Sequence, residues 1–318
     1  MSKAPKKIFA ALISAAFVSL SLGSTAPAQA APKNLARAVV TADWLEKNLN
    51  DPKVVIVEVS TEPGIYERGH IQNAVKISWH TDLVDTVNRD VVSAANFQKF
   101  AQNAGISQDS TIVLYGDKNN WFAAWGAWIF NLYGAKDVRI LDGGRVKWEK
   151  DGRALTTSVT TKPKGNFTST RLDRSMRATL LQDIIPVAKK RVKVDLIDIR
   201  SADEYNGKIF APPGFQELAV RAGHIPGAIN VPWGLNVNAD GTFKPVADLK
   251  KLYADKGVDG KQSIITYCRI GERSSLTWFV LSEILGYEVK NYDGSWTEYG
   301  NSVGVPISNP SGTIWGQS

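Results

Sequence analysis

The chain has 318 residues, of which 43% are hydrophobic and 22% charged, so it is long enough for two domains with substantial cores. This composition excludes a fibrous or fully disordered protein. The formal net charge is +7, and acidic residues are spread among the Lys and Arg residues without a basic run. Nucleic acid is therefore not expected as a partner.

The N-terminal segment differs from the rest of the chain. Lys3, Lys6 and Lys7 precede an uncharged, mostly apolar run over residues 8–22, and Ala-Gln-Ala follows at 28–30. This pattern predicts a signal peptide over residues 1–30, with an uncleaved membrane anchor as the alternative. No later apolar run is long enough to span a bilayer. We therefore expect an exported protein, periplasmic or extracellular, that is not bound to the membrane after cleavage.

Two segments about 150 residues apart carry the same features in the same order. The first contains predicted strands over 54–59, 111–115 and 138–141, a Gly-His-Ile box at 69–71, a predicted helix over 121–132, and Asp-Gly-Gly at 142–144. The second contains strands over 196–199 and 263–267, a Gly-His-Ile-Pro-Gly-Ala box at 223–228, a helix over about 274–285, and Tyr-Asp-Gly at 292–294.

Short apolar strands that alternate with helices predict an α/β fold, with a mainly parallel sheet flanked by helices in each half. We expect a first domain over residues 31–155 and a second over 178–318. Residues 156–177 between them are rich in Thr, Ser and Lys, which is typical of an exposed linker. The segment that precedes the first domain is the predicted signal peptide at 1–30.

Cys268 is the single cysteine, so it cannot form an internal disulfide. It follows the last apolar strand and begins the sequence Cys-Arg-Ile-Gly-Glu-Arg-Ser-Ser, after which a helix is predicted. Backbone N–H groups and the dipole at such a helix start favour an anion and a thiolate. Arg269 and Arg273 add positive charge, and Gly271 permits a loop conformation that a side chain would hinder.

The corresponding point of the first half reads Tyr115-Gly116-Asp117. Glycine stands there in place of the cysteine and an acid in place of the arginine. The first half is therefore expected to be inactive. The comparison also makes a role of Cys268 in packing alone less credible.

The two halves, the loop after Cys268 and the boxes at 223–228 and 293–296 together resemble tandem-domain rhodaneses, which are thiosulfate sulfurtransferases. The loop is similar to the actinobacterial type of this family. The resemblance implies a Cys268 persulfide as the intermediate and requires no metal or organic cofactor. It implies that the donor is bound by the residues after the cysteine, namely Arg269, Ile270, Gly271, Glu272, Arg273 and Ser274. The implied partners are thiosulfate and a thiophilic acceptor, and we expect a monomer.

Three alternatives remain open. A related cysteine phosphatase would have a longer loop than the four residues between Cys268 and Arg273. A mercaptopyruvate sulfurtransferase would usually have glycine where Arg269 stands, and the doubly basic loop suits the more highly charged thiosulfate better. A sulfur carrier with little turnover would keep Cys268 and the persulfide.

Two departures from the family concern residues near the loop. A basic residue expected after the first strand of the second half is replaced by the acidic pair Asp203-Glu204. Arg200, Lys208 or Arg221 could replace it. Leu276 stands where close relatives often have histidine.

The histidines and the aromatic residues are interpreted as structural. His70 and His224 occur in both repeats, including the inactive one, which favours a role in a turn, and His80 matches no motif. The aromatic residues of 121–130 follow helical spacing, which predicts packing in the core or between the domains.

Overall fold

The computed structural model describes Met1, residues 35–216 and residues 218–316. Apart from Met1, the predicted signal peptide lies outside the described residues. Pro32–Ser318 form one compact unit that contains both halves of the repeat. In the described part of the chain, no helix is long and apolar enough to cross a membrane.

The first half contains seven strands and six helices among its described residues. The strands are β1 (Val39–Val40), β2 (Val54–Glu58), β3 (Val75–Lys76), β4 (Val84–Asp85), β5 (Asp90–Val91), β6 (Thr111–Tyr115) and β7 (Asp137–Leu141). The helices are α1 (Leu35–Ala38), α2 (Ala42–Lys47), α3 (Ile65–Arg68), α4 (Ala94–Asn103), α5 (Trp121–Leu132) and α6 (Gly144–Lys150), and a 3₁₀ turn spans Lys118–Asn120.

The second half has four strands and five helices among its described residues. The strands are β8 (Asp195–Asp198), β9 (Ile229–Asn230), β10 (Ile264–Tyr267) and β11 (Val289–Asn291). The helices are α7 (Ile185–Ala188), α8 (Ala202–Tyr205), α9 (Val246–Ala254), α10 (Glu272–Phe279) and α11 (Ser295–Asn301). Two 3₁₀ turns (Arg174–Met176, Trp233–Asn236) and two π-helical segments (Leu180–Ile184, Val280–Ile284) complete it.

Each half has one parallel sheet. The strand order is β1-β7-β6-β2-β3 in the first half and β11-β10-β8-β9 in the second, and every neighbouring pair is parallel. Strands β4 and β5 form a separate antiparallel pair. All residues of β2 and β10 are buried, because helices cover both faces of each sheet. The predicted α/β fold with two repeated domains is therefore confirmed.

The two halves are joined by a shared apolar core. Helix α5 of the first half packs against α10 of the second, and one cluster of buried residues contains Trp125 and Trp128 together with Leu276 and Phe279. The aromatic spacing of α5 is thus explained by packing inside and between the halves. Because α10 follows the Cys268 loop directly, this contact fixes the loop against the first half.

The segment between the halves lies along the first half. Its backbone is tied there by hydrogen bonds from Gly165 N to Gln102 O at 2.8 Å and from Phe167 N to Ile106 O at 3.1 Å. Most of its residues are exposed, as its composition predicts, but the Phe167 side chain is only 1% exposed. The segment is therefore an ordered connection that packs on the first half. The boundaries 156 and 177 stay predictions.

Candidate active site

Cys268 lies immediately after β10, which is an inner strand of the second sheet. Its side chain is fully buried. The Cys268 N–H donates to Ser295 Oγ at 3.1 Å, and its carbonyl accepts from Trp296 N at 3.0 Å. The start of α11 therefore fixes the backbone of the cysteine. The position agrees with the general rule that open α/β sheets bind ligands at the carboxyl ends of their strands.

Gly271 closes the loop between Cys268 and α10. Its N–H donates to Cys268 Sγ at 3.1 Å. Its φ of +103° lies in the left-handed region, and a Cβ there would stand 2.6 Å from Trp125 Cζ3 and 2.8 Å from Asp293 Cα. Only glycine fits this turn without displacing neighbours. The turn aims the first free N–H groups of α10 at the sulfur.

Glu272, the first residue of α10, is the acidic neighbour of the sulfur. Its Oε2 lies 3.6 Å from Cys268 Sγ, within hydrogen-bonding distance for a thiol. Glu272 is only 7% exposed. Burial raises the pKa of its carboxyl group, while the nearby Arg273 acts in the opposite direction. The position of this carboxylate against the sulfur could not be derived from the loop sequence.

Two opposing sets of groups act on the pKa of the Cys268 thiol. Burial raises the pKa of its thiol, and the Glu272 carboxylate adds to this effect, whereas Arg273 and the N–H groups of Ser274 and Gly271 lower it. From the sequence, the amides, the helix dipole and the arginines are expected to favour the thiolate. Arg273 and the N–H groups act in the expected direction, but burial and the adjacent carboxylate oppose them and raise the pKa of the thiol. The thiolate stays a prediction.

Arg273 is the cation nearest to this pair of groups. Its Nε lies 3.9 Å from Glu272 Oε1 and its Nη2 lies 3.6 Å from Glu204 Oε1. The guanidinium also lies over the ring of Trp121, 5.9 Å from the centroid. Arg273 therefore stands between two buried carboxylates with its positive charge beside Cys268. Glu204, which in the sequence is only a departure from the family pattern, belongs to this site.

Arg269 is oriented differently. Its guanidinium lies 5.6 Å from the ring centroid of Phe215 and donates to the Gln216 carbonyl. Its own carbonyl accepts from Thr297 N at 2.9 Å. The loop therefore sends one arginine toward residues 215–216 and the other toward Glu204. The role of Arg269 in binding the donor stays a prediction.

The remaining loop residues, Ile270 and Ser274, support the backbone. The Ile270 carbonyl lies 3.5 Å from Arg89 Nη2 of the first half. Ser274 Oγ lies 2.9 Å from the Gly271 carbonyl and 2.7 Å from Asn291 Oδ1. The Ser274 side chain therefore holds the loop in place, while its N–H faces the sulfur.

Aromatic residues from both halves stand beside Arg273. The rings of Trp121 and Trp233 meet edge to face with centroids 4.8 Å apart. The indole nitrogen Nε1 of Trp121 is buried without a hydrogen-bond partner. The sequence leaves open which aromatic residues of the first half reach the site. Two that do are Trp121, which lies beside Arg273, and Trp125, which lies against Gly271.

The basic residues suggested as replacements for the missing one are engaged elsewhere. Arg200 forms a fully buried ion pair with Asp198 at 2.6 Å. Arg221 donates to four backbone carbonyls of residues 299–305. Lys208 is paired with Asp203, and both side chains are exposed. The structure therefore gives all three side chains structural partners.

The two histidines of the repeated boxes have equivalent surroundings. His70 stacks on Tyr66 with ring centroids 3.8 Å apart, and His224 stacks on Tyr205 at 3.6 Å. Nδ1 of each lies against the carbonyl oxygen of the tyrosine on which it stacks. These contacts agree with the predicted structural role in a turn.

In the first half, the Asn120 side chain fills the loop that corresponds to the Cys268 loop. Asn120 Oδ1 accepts from Gly116 N at 3.0 Å, and Asn120 Nδ2 donates to the Leu141 carbonyl at 2.8 Å. A Cβ at Gly116 would stand 2.3 Å from the Val59 carbonyl oxygen. The Asp117 carboxylate accepts from nearby backbone N–H groups. The space that holds the sulfur in the second half is therefore unavailable here.

Among the described residues, no three His, Cys, Asp or Glu side chains come together in a way that could hold a metal ion.

Residues 41–151 and 185–302 each match the rhodanese-like domain. A protein of Mycolicibacterium smegmatis named "Putative thiosulfate sulfurtransferase" is 52% identical over 271 residues, which cover 85% of this chain and 96% of that protein. "Sulfur carrier protein TtuD" of Thermus thermophilus is 50% identical over 275 residues, covering 85% of this chain and 96% of that protein.

A solved structure with the same fold is SseA of Escherichia coli, described as a 3-mercaptopyruvate sulfotransferase. It is 26% identical with a TM-score of 0.69, and the match covers 81% of this chain and 98% of that one. Both halves of the present chain match one domain family, and the sequence relatives are about half identical over most of its length. The chain therefore belongs to the rhodanese family and carries two rhodanese-like domains in tandem.

Proposed function

We propose that this protein transfers sulfane sulfur from thiosulfate to a thiophilic acceptor, cyanide or a thiol, through a persulfide on Cys268. The observation that carries the proposal is the geometry of the loop: Cys268 Sγ accepts from Gly271 N at 3.1 Å beside the buried cation Arg273. A thiol held by N–H donors next to a fixed positive charge suits attack on an anionic sulfur donor. The names of the sequence relatives support the same class of reaction.

In the first half-reaction, the Cys268 thiolate attacks the outer sulfur of thiosulfate. A new sulfur–sulfur bond forms, the bond between the two sulfurs of thiosulfate breaks, and its electron pair leaves with sulfite. The persulfide that remains is an anion. Arg273 compensates the negative charge of the donor, and the N–H groups at the start of α10 stabilise the bound sulfur.

In the second half-reaction, the acceptor attacks the outer sulfur of the persulfide. The sulfur–sulfur bond breaks, and its electron pair returns to Cys268. No electron carrier is needed, because the sulfur itself moves between nucleophiles. The protein therefore alternates between a sulfur-free and a sulfur-loaded form.

Intact mass together with sulfite release tests this proposal. We expect thiosulfate to add one sulfur, about 32 Da, that is lost on addition of cyanide. Cys268→Ser should show neither the adduct nor sulfite release. Turnover that survives in Cys268→Ser would contradict the proposal.

Two alternatives are separated by the same assay. Replacing thiosulfate with mercaptopyruvate and following pyruvate tests the activity in the description of SseA. The positive charge of Arg273 beside the sulfur favours the more highly charged thiosulfate, so we expect thiosulfate to have the higher kcat/KM. A protein that gains the sulfur but transfers it to neither cyanide nor thiols would instead be a sulfur carrier, the role in the name of the Thermus relative.

We also propose that the protein is exported, as a monomer, after cleavage behind Ala30. The support for export is the sequence of residues 1–30. N-terminal sequencing of the protein recovered from the periplasm or the medium should begin at Ala31. Recovery of the uncleaved chain from membranes would contradict this, and light scattering tests the monomer.

A further inference from the structure

We propose that Glu272 takes the proton of the Cys268 thiol and keeps it while the cysteine carries sulfur, so that the pair shares one proton throughout the reaction. The proposal deepens the function proposed above and rests on it. It assigns Glu272 a catalytic role in proton transfer that differs from contact with the donor.

The first support is the geometry of the pair. Cys268 Sγ and Glu272 Oε2 are 3.6 Å apart, and both side chains are buried from water. Among the described residues, no other side-chain oxygen forms a hydrogen bond with this sulfur. A buried thiol that must lose its proton therefore has a carboxylate as its adjacent acceptor.

The second support is the balance of charge around the pair. If both groups were ionised, two anions would stand in contact in a poorly solvated place. The facing cation, Arg273, is shared with a second buried carboxylate, Glu204, at 3.6 Å. The charge of Arg269 acts on Glu272 from a greater distance than that of Arg273. The Arg200 side chain is paired with Asp198. One retained proton removes this excess of negative charge.

The third support is the direction of the pKa changes. Burial raises the pKa of both the Cys268 thiol and the Glu272 carboxyl group. Each group is therefore a better proton acceptor than it would be in water. Coupled groups of this kind lose their two protons in separate steps and hold one proton in the pH range between them.

The proton transfer leaves the reaction balanced. The thiol of Cys268 and the carboxylate of Glu272 become a thiolate and a carboxylic acid. The thiolate attacks thiosulfate and sulfite leaves with its electron pair, while the proton stays on Glu272 beside the persulfide anion. When the acceptor removes the outer sulfur, the thiolate returns and can recover the proton.

The test is the pH dependence of single-turnover sulfite release from thiosulfate by the full-length protein. The native protein should show a plateau, because transfer within the pair does not change with pH while one proton is bound. Glu272→Gln keeps the size of the side chain but accepts no proton. Its rate should be at least tenfold lower near neutral pH and rise about tenfold per pH unit, the slope of one ionisation to solvent.

Two further variants act as controls. Glu272→Asp keeps a carboxylate and should keep a plateau at reduced height. Glu204→Gln removes the other carboxylate against Arg273 and should also keep the plateau, whatever its height. A plateau in Glu272→Gln would overturn the proposal. So would a faster rate at neutral pH, because Glu272 would then act only by repelling the thiolate.

Alkylation of Cys268 by iodoacetamide separates this proposal from the proposed function. The alkylation rate follows the thiolate and needs no sulfur donor. A flat pH profile in the native protein and a rising one in Glu272→Gln would support the shared proton even if no sulfite were released. The same rising profile in both proteins would overturn it. Absence of a persulfide with either donor would contradict only the function.

Discussion

At the scale of single residues, the two arginines of the loop are not equivalent. Arg273 lies between Glu272 and Glu204 beside the sulfur, whereas the Arg269 guanidinium lies against Phe215. A charge close to the bound donor stabilises it more than one that is directed away from it. Arg273 is therefore the residue whose charge the donor should need most.

We predict that Arg273→Met lowers kcat/KM for thiosulfate by about ten- to a hundredfold, the usual value of a hydrogen bond to a charged group. Arg269→Met is the matched variant. When both losses of kcat/KM are converted to free energies, its loss should be less than about a third of that of Arg273→Met. Steady-state assays with cyanide as acceptor measure both. Equal losses would show that the Arg269 side chain also reaches the donor.

The sequence identified Cys268 and the loop after it because cysteine, arginine and glycine at this spacing, between a buried strand and a helix, are typical of an anion-binding catalytic loop. It could not identify Glu204 or Trp121. Each is brought to the loop by tertiary packing, and neither lies in a local pattern that distinguishes it from an ordinary surface acid or core aromatic. The sequence also does not show that burial raises the pKa of Cys268, because burial depends on the tertiary fold.

At the scale of elements, the conformation of Gly271 determines where α10 begins. We predict that Gly271→Ala lowers the free energy of unfolding by about 2–4 kcal/mol, combining positive φ with contact against Trp125. Gly257→Ala is the control, since Gly257 has a φ of +80° but no atom within 4 Å of the added Cβ. It should cost only about 1 kcal/mol.

Urea unfolding of both glycine variants measures this difference. Gly271→Ala should also lose most sulfite release, since its N–H would move away from Cys268 Sγ. An equal loss of stability in the two variants would show that the Trp125 side chain moves aside without lowering the free energy of unfolding.

The first-half loop permits a second prediction about elements. We predict that Gly116→Cys, combined with Cys268→Ser, acquires no sulfur from thiosulfate. A Cβ at Gly116 meets the Val59 carbonyl, and Asn120 fills the position of a ligand. Intact mass after incubation with thiosulfate measures the adduct. A gain of one sulfur would show that the first loop can open.

Helix α5 spans Trp121–Leu132 as its pattern predicts. The pattern after the Cys268 loop predicts a helix from about Ser274 to Leu285, but α10 begins at Glu272 and continues from Val280 as a π-helical segment. The sequence does not show that Gly271 lets the chain enter the helix early. Nor does the sequence show the π-helical turn, since its apolar residues fit an α-helix as well as a π-helix.

At the scale of the whole molecule, the internal repeat predicted two domains of the same fold, but not how they pack. Residues of α5 and α10 form one core across the halves. Helix α5 is almost entirely apolar, whereas α10 is buried although it begins with four polar residues. Neither sequence shows that the two helices pack on each other. The contact between the halves also places Trp121 and Trp125 beside the Cys268 loop.

Among the described residues, five tyrosines are fully buried and make the free energy of unfolding sensitive to alkaline pH. They are Tyr115, Tyr253, Tyr267, Tyr292 and Tyr299. Burial raises the pKa of each phenol above 10.0, in the case of Tyr299 to about 12. The folded chain therefore holds protons that the unfolded chain releases above pH 10, and the free energy of unfolding must fall as pH rises beyond it.

We predict that the tyrosines leave the free energy of unfolding nearly unchanged below pH 9 and lower it between pH 10 and 11. Each phenol that ionises only in the unfolded chain contributes about 1.4 kcal/mol per pH unit. Urea unfolding across this range measures the slope. Tyr253→Phe removes one such phenol, so its slope should be smaller by one group even though the loss of its hydrogen bond to Asn236 lowers overall stability. An unchanged slope would mean that Tyr253 ionises equally in the folded and unfolded chains, which its complete burial argues against.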